Sequence, residues 1–143
     1  MSFVLDASVT LSWLLKDASD KGEPYAFAVL KALRAGHNRG AVPVTWGLEV
    51  ANVIAHSEAK ALVTEAQSEA FLEMLQDVAI EVDTVSASQS LSDTLHLARR
   101  YRLSAYDASY LELALRSAQP LATLDVDLRR AAGKVGVKAY KPE

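Results

Sequence analysis

Ser2-Phe3-Val4-Leu5-Asp6-Ala7-Ser8 opens with an apolar run that reads as a short buried strand, ending on a carboxylate. The segment behind it, Ser8 to Leu15, carries Val9, Leu11, Trp13 and Leu14, with the Ser8 hydroxyl ready to cap a helix. A strand that feeds straight into a helix is a βα unit. The remaining chain repeats that alternation. A helix is expected from Gly22-Glu23-Pro24 to about Ala35, closed by Gly36, then a strand over Ala41 to Val44 and a long helix from Thr45 to Leu62. Thr64-Glu65-Ala66-Gln67 has the form of a capping box and starts another helix; Ile80-Glu81-Val82 reads as a strand, and Ser86-Ala87-Ser88-Gln89 as a second box before a helix ending near Tyr101. Ser104 to Ser117 is expected helical, Leu121 to Leu124 a strand, Asp127 to Ala132 a short helix and Val135 to Ala139 a last strand. Alternating strands and helices imply an α/β fold with a central, mostly parallel sheet covered on both faces, and sites gather at the carboxyl ends of such strands.

At 143 residues, half of them hydrophobic, the chain suits one domain spanning 1–143. Fifteen Lys and Arg stand against 18 Asp and Glu, so the net charge of −3 does not advertise a nucleic-acid partner, and local charge must carry that case. Without cysteine, disulfides and thiolate metal sites are excluded. The first apolar stretch is broken by Asp6 and closed by Lys16, too short to span a membrane and unlike a secretory leader, which leads us to expect a soluble, cytoplasmic protein.

Four carboxylates interrupt otherwise apolar segments: Asp6 after the first strand, Glu49 in the third helix, Asp107 in a late helix, and Asp125 after Leu121-Ala122-Thr123-Leu124. Each has an ordinary explanation. Asp6 reads equally as a turn or cap residue, Asp125 or Asp127 as the cap of the helix holding Leu128, Arg129 and Arg130, Glu49 as the border of an apolar stripe, and Asp107 as the acidic member of a box begun by Ser104. Taken together they call for compensation, because burying an unpaired carboxylate costs several kcal/mol, about. Oxygen-only ligands suit Mg²⁺ or Mn²⁺ and argue against zinc; His37 lies in a polar loop, His96 beside charged residues, and His56, seven after Glu49, reads as a helix-face residue within reach of the rim of the site.

In these residues the chain resembles the PIN-domain ribonucleases, most closely the VapC-type toxins of prokaryotic toxin–antitoxin pairs. The likeness rests on Val4-Leu5-Asp6-Ala7-Ser8, on Leu48-Glu49-Val50-Ala51-Asn52, on the run from Leu103 to Ala114 that includes Tyr106-Asp107-Ala108, and on Leu121-Ala122-Thr123-Leu124-Asp125. It implies a three-layer sandwich in which Asp6, Glu49, Asp107 and Asp125 bind Mg²⁺ or Mn²⁺, with Ser8 and Thr123 in support and Asp127 as an additional acid or a plain cap. It also implies a metal-dependent endoribonuclease in which metal-activated water attacks an RNA phosphodiester. The implied partners are the RNA substrate, a cognate VapB-type antitoxin and a second copy of the chain. Arg99, Arg100 and Arg102, and separately Arg129, Arg130 and Lys134, are candidate phosphate contacts that read equally as solvated helix faces. Loops at Asp17 to Glu23 and His37 to Gly40 are candidate determinants of the target sequence. Two other readings stay open: an RNA-processing nuclease without toxin function, and a non-enzymatic module whose acidic pocket docks a partner.

Overall fold

Phe3, Val4 and Leu5 are all fully buried, and since neighbouring strand residues face opposite sides of a sheet, both faces of the first strand are covered. In the computed structural model, which describes residues 2–15 and 23–142, that strand is β1 (Ser2–Leu5). It is followed by α1 (Ala7–Ser12), α2 (Glu23–Arg34), β2 (Arg39–Pro43), α3 (Trp46–Ala59), α4 (Glu65–Gln76) and β3 (Ile80–Asp83). A 3₁₀ turn (Thr84–Gln89) and a π turn (Ser90–Thr94) lead into α5 (Leu95–Tyr101), α6 (Ala105–Ser117), β4 (Leu121–Ala122) and α7 (Val126–Lys134). Residues 16–22, with most of the loop expected at Asp17 to Glu23 and the Gly22 start of the second helix, lie outside the described residues.

The four strands form one parallel sheet in the order β3-β2-β1-β4. The chain therefore moves outward from β1 in one direction, through β2 to β3, and then returns to place β4 on the other side of β1. That reversal is a topological switch point, where loops on either side of β1 diverge and leave a crevice at the carboxyl ends. Asp6 leaves β1 at that crevice, and Thr123 and Asp125 leave β4 there. α6 packs against β1, β2 and β4, and its residues Ala108 to Ala114 are all buried.

Four local expectations are corrected. Ser8 does not cap α1: Asp6 holds the cap position, with its backbone carbonyl accepting from Val9 and Thr10 N–H and its side chain making no cap bond. The Ser86 box does not form, because Asp83 takes the cap role earlier, accepting from the Val85 N–H and the Ser86 hydroxyl. β4 stops at Ala122, two residues short of Leu124, where Thr123 turns its side chain to Asp6. Val135 to Ala139 is not a strand: Gly136 turns at φ 81°, and only a single bridge, Leu121 to Ala139, joins the segment to a strand too short to support more. Tyr140 instead stacks on Phe3, ring centroids 3.8 Å apart. The Thr64–Gln67 capping box forms in full. Among the described residues no helix is long and apolar enough to cross a membrane.

Candidate active site

Because capping leaves its side chain unused, the Asp6 carboxylate turns to the crevice. Two hydroxyls fix it there: Ser8 Oγ and Thr123 Oγ1 donate to the same oxygen, Oδ2, at 2.6 and 2.7 Å. Each hydroxyl is held in turn, Ser8 Oγ accepting from the Leu124 N–H and Thr123 Oγ1 from the Asp125 N–H, both at 3.0 Å. The ends of β1 and β4 are thus cross-linked through one carboxylate. Burial pushes the Asp6 carboxyl up, the two hydroxyls draw it down, Asp125 pushes it up again, and the outcome is a raised pKa.

Glu49, in the first turn of α3, is half-buried and accepts a 2.9 Å hydrogen bond at Oε1 from the hydroxyl of Tyr110 on α6. Its pKa is raised to about 7, mainly by desolvation, opposed by the Tyr110 bond and reinforced by Asp6 and Asp107. Asp107 lies in the first turn of α6, with its N–H donating to the capping Ser104 hydroxyl at 3.0 Å, so the Ser half of the expected box is present. Burial lifts its carboxyl to about 6, with Asp6 and Asp125 adding to the rise. Glu49 therefore feels the charge of Asp6 and Asp107, and Asp107 that of Asp6 and Asp125.

Asp125 does cap α7, its Oδ1 accepting from the Leu128 N–H at 2.9 Å, and it still acts on Asp6 and Asp107. Asp127 is the acid left over; it is exposed and pairs loosely with Arg130 at 3.5 Å. All three histidines are exposed. Arg129 reaches the border of the crevice, where its Nη2 donates to the Thr123 carbonyl at 2.6 Å.

No cation figures among the influences on Asp6, Glu49 or Asp107. Among the described residues no group of three or more acids or histidines stands ready to hold an ion as placed. The donors these residues offer are carboxylate and hydroxyl oxygens, the set that suits a hard divalent cation.

The sequence matches the PIN domain family over residues 3–134. The chain belongs to this family. Among solved structures it is similar to PAE2754 from Pyrobaculum aerophilum, with a TM-score of 0.64 and 22% identity, over 92% of this chain and 79% of that one. That likeness bears on the fold alone. No curated protein matches the chain. PIN domains are in general metal-dependent nucleases.

Within this PIN domain, sequence reasoning overlooked Tyr110. Its signal was an aromatic with a polar tip three residues after Asp107 on a helix face that is otherwise aliphatic, since a buried tyrosine hydroxyl usually finds a partner. Its pKa is raised by burial and by the nearby Glu49 and Asp6 carboxylates, so it stays a donor to Glu49 at any ordinary pH. Trp46, expected in the apolar stripe of α3 or at an interface between copies, packs against the core, and its Nε1–H donates to Thr10 Oγ1 at 3.1 Å, tying the start of α3 to α1.

Proposed function

We propose that this PIN domain is a Mg²⁺- or Mn²⁺-dependent endoribonuclease and the toxin of a toxin–antitoxin pair. The observation that carries the reading is the convergence of carboxylates from four distant segments, three of which, Asp6, Glu49 and Asp107, are raised by burial and by neighbouring acids with no cation acting on them. In this reading Asp6, Glu49, Asp107 and Asp125 hold the ion, Ser8 and Thr123 fix the rotation of Asp6, and Asp127 borders the site. A divalent ion bound there supplies Lewis-acid polarisation of a phosphodiester and acidifies a bound water. The protein's part is positional. Tyr110 engages Glu49 Oε1 and leaves Oε2 to hold the ion through a water or to orient the attacking water.

RNA is the substrate class of PIN nucleases in general, and the exposed arginines 99, 100, 102, 129 and 130 with Lys134 supply local positive charge for it on a chain of net charge −3. The resemblance of the sequence to VapC-type toxins supports a homodimer and a cognate antitoxin that occupies the site. The test has two parts. Asp6→Asn is expected to remove both Mg²⁺-dependent cleavage of RNA and a stoichiometric Mn²⁺ site in calorimetry, with circular dichroism unchanged; cleavage that survives the substitution overturns the reading. Inducible expression is expected to arrest growth, with relief by the antitoxin gene. Nuclease activity without arrest leaves an RNA-processing enzyme.

A further inference from the structure

Beside the acids, between the N-terminal turns of α3 and α6, lies a cleft of about 610 Å³ lined by Thr45, Leu48, Glu49, Asn52, Val53 and Tyr106. Its walls are joined before any ligand arrives: Tyr110 of α6 bonds Glu49 of α3, and the Thr45 and Ser109 hydroxyls approach to 3.5 Å. Two large side chains are nevertheless left to water, Leu48 at 75% exposure and Tyr106 at 59%. Each is the chain neighbour of a site acid, Leu48 of Glu49 and Tyr106 of Asp107, so whatever fills the cleft lies next to whatever the acids hold.

The lining restricts the occupant. It contains one carboxylate and no Lys or Arg, so a phosphate would find no positive partner and would meet Glu49. It offers an aromatic face, two aliphatic side chains, one carboxamide and one hydroxyl. A flat, uncharged group with polar edges matches that set, and single-stranded RNA is read through unstacked bases that lie on aromatic rings and hydrogen-bond along their edges. We propose that the cleft receives one unpaired base of the RNA strand, adjacent to the phosphodiester at the acids, with Tyr106 as the stacking face and Asn52 and Thr45 reading the base edge. This rests on the nuclease reading above and adds what decides where the strand is cut.

The test uses single-stranded oligoribonucleotides in which an abasic residue is moved stepwise past the cleavage point, with wild type, Tyr106→Ala, Tyr106→Trp and Asn52→Asp. Tyr106→Ala is expected to raise KM on the order of 10-fold, the worth of one base–aromatic stack, and Tyr106→Trp to restore it. The abasic residue is expected to cost wild type a similar factor at one position only, and to cost Tyr106→Ala little there. Asn52→Asp exchanges a donor for an acceptor and is expected to change which base is preferred. Unchanged KM and cleavage pattern in Tyr106→Ala overturns the base site while the nuclease reading stands. A Tyr106→Ala defect that tracks dissociation of a dimer in sedimentation, and vanishes when concentration restores the dimer, puts a second copy in the cleft and also overturns it. Wild type that cleaves no RNA removes the nuclease reading first and the base site with it.

Discussion

Two groups of carboxylates in this molecule meet opposite fates. At the crevice beyond β1 and β4, Asp6, Glu49 and Asp107 are pushed up by burial and by neighbouring carboxylates, with no cation acting on them. At the far edge of the sheet, Glu112 is 3% exposed, yet Arg116 one turn along α6 bonds it through Nε at 2.7 Å and Nη2 at 3.1 Å, and also bonds Asp83 at the end of β3. Burial alone would lift Asp83, but the bonds from Arg116, the Ser86 hydroxyl and the Val85 N–H outweigh it and hold the carboxyl below its ordinary value. The second group is neutralised from within and pins the turn after β3 to α6. The first has no such partner, and burial favours its neutral form.

The sharpest way to break the contrast is to neutralise one acid in each group. Asp107→Asn is expected to lower RNA cleavage on the order of 10³-fold while raising the melting temperature of the chelator-treated protein, since a repelled carboxylate has gone. Glu112→Gln is expected to leave cleavage near wild type and to lower the melting temperature, since it removes a partner of Arg116. Should Asp107→Asn melt earlier than wild type, the crevice acids are structural after all. Next in size, Arg116→Met strands the buried Glu112 carboxylate and is expected to cost about 3 kcal/mol in urea unfolding, the low end for a broken buried pair because Arg116 is 31% exposed. Most of that loss is expected to return in the double variant Glu112→Gln/Arg116→Met.

The two groups also respond to pH with opposite sign. For Glu49 the folded pKa of about 7 exceeds the ordinary 4.5, so the folded chain binds more protons, and its stability falls as pH rises from about 4.5 to 7. Added Mn²⁺ is expected to oppose that fall. For Asp83 the folded pKa is below 3.8, so its contribution is present above that value and is lost as pH falls through the folded pKa. Urea midpoints across the range, with and without Mn²⁺, read both limbs, and a metal-free protein that gains stability between pH 5 and 7 contradicts the first. The smallest effect is expected from Tyr110→Phe, which leaves Glu49 Oε1 without its donor: about 1 kcal/mol of stability and a reduction in kcat larger than any change in KM.

Much of this was legible in the chain because it is local. The run Ser2 to Leu5 is apolar throughout because both sides of its strand are covered, and Thr64 and Gln67 cap each other within four residues. The candidate acids were visible as polar interruptions of apolar segments. What escaped depends on partners far away in sequence. Ser8 looked like a cap because its link to Asp6, Thr123 and Leu124 spans the chain, and Ser86 looked like one because Asp83 is fixed by Arg116, 33 residues on. Val135 to Ala139 had the apolar content of a strand, but a strand needs a neighbour of matching length, which the two-residue β4 does not offer. Between Asp125 and Asp127 the sequence left a tie that one hydrogen bond to Leu128 decides.

The clasp on Asp6 has a consequence for biosynthesis. One of its two hydroxyls, Thr123, follows 117 residues later, so that carboxylate is not fully gripped until β4 has left the ribosome. Nascent fragments that stop short of β4 emerge with Asp6 held by Ser8 alone.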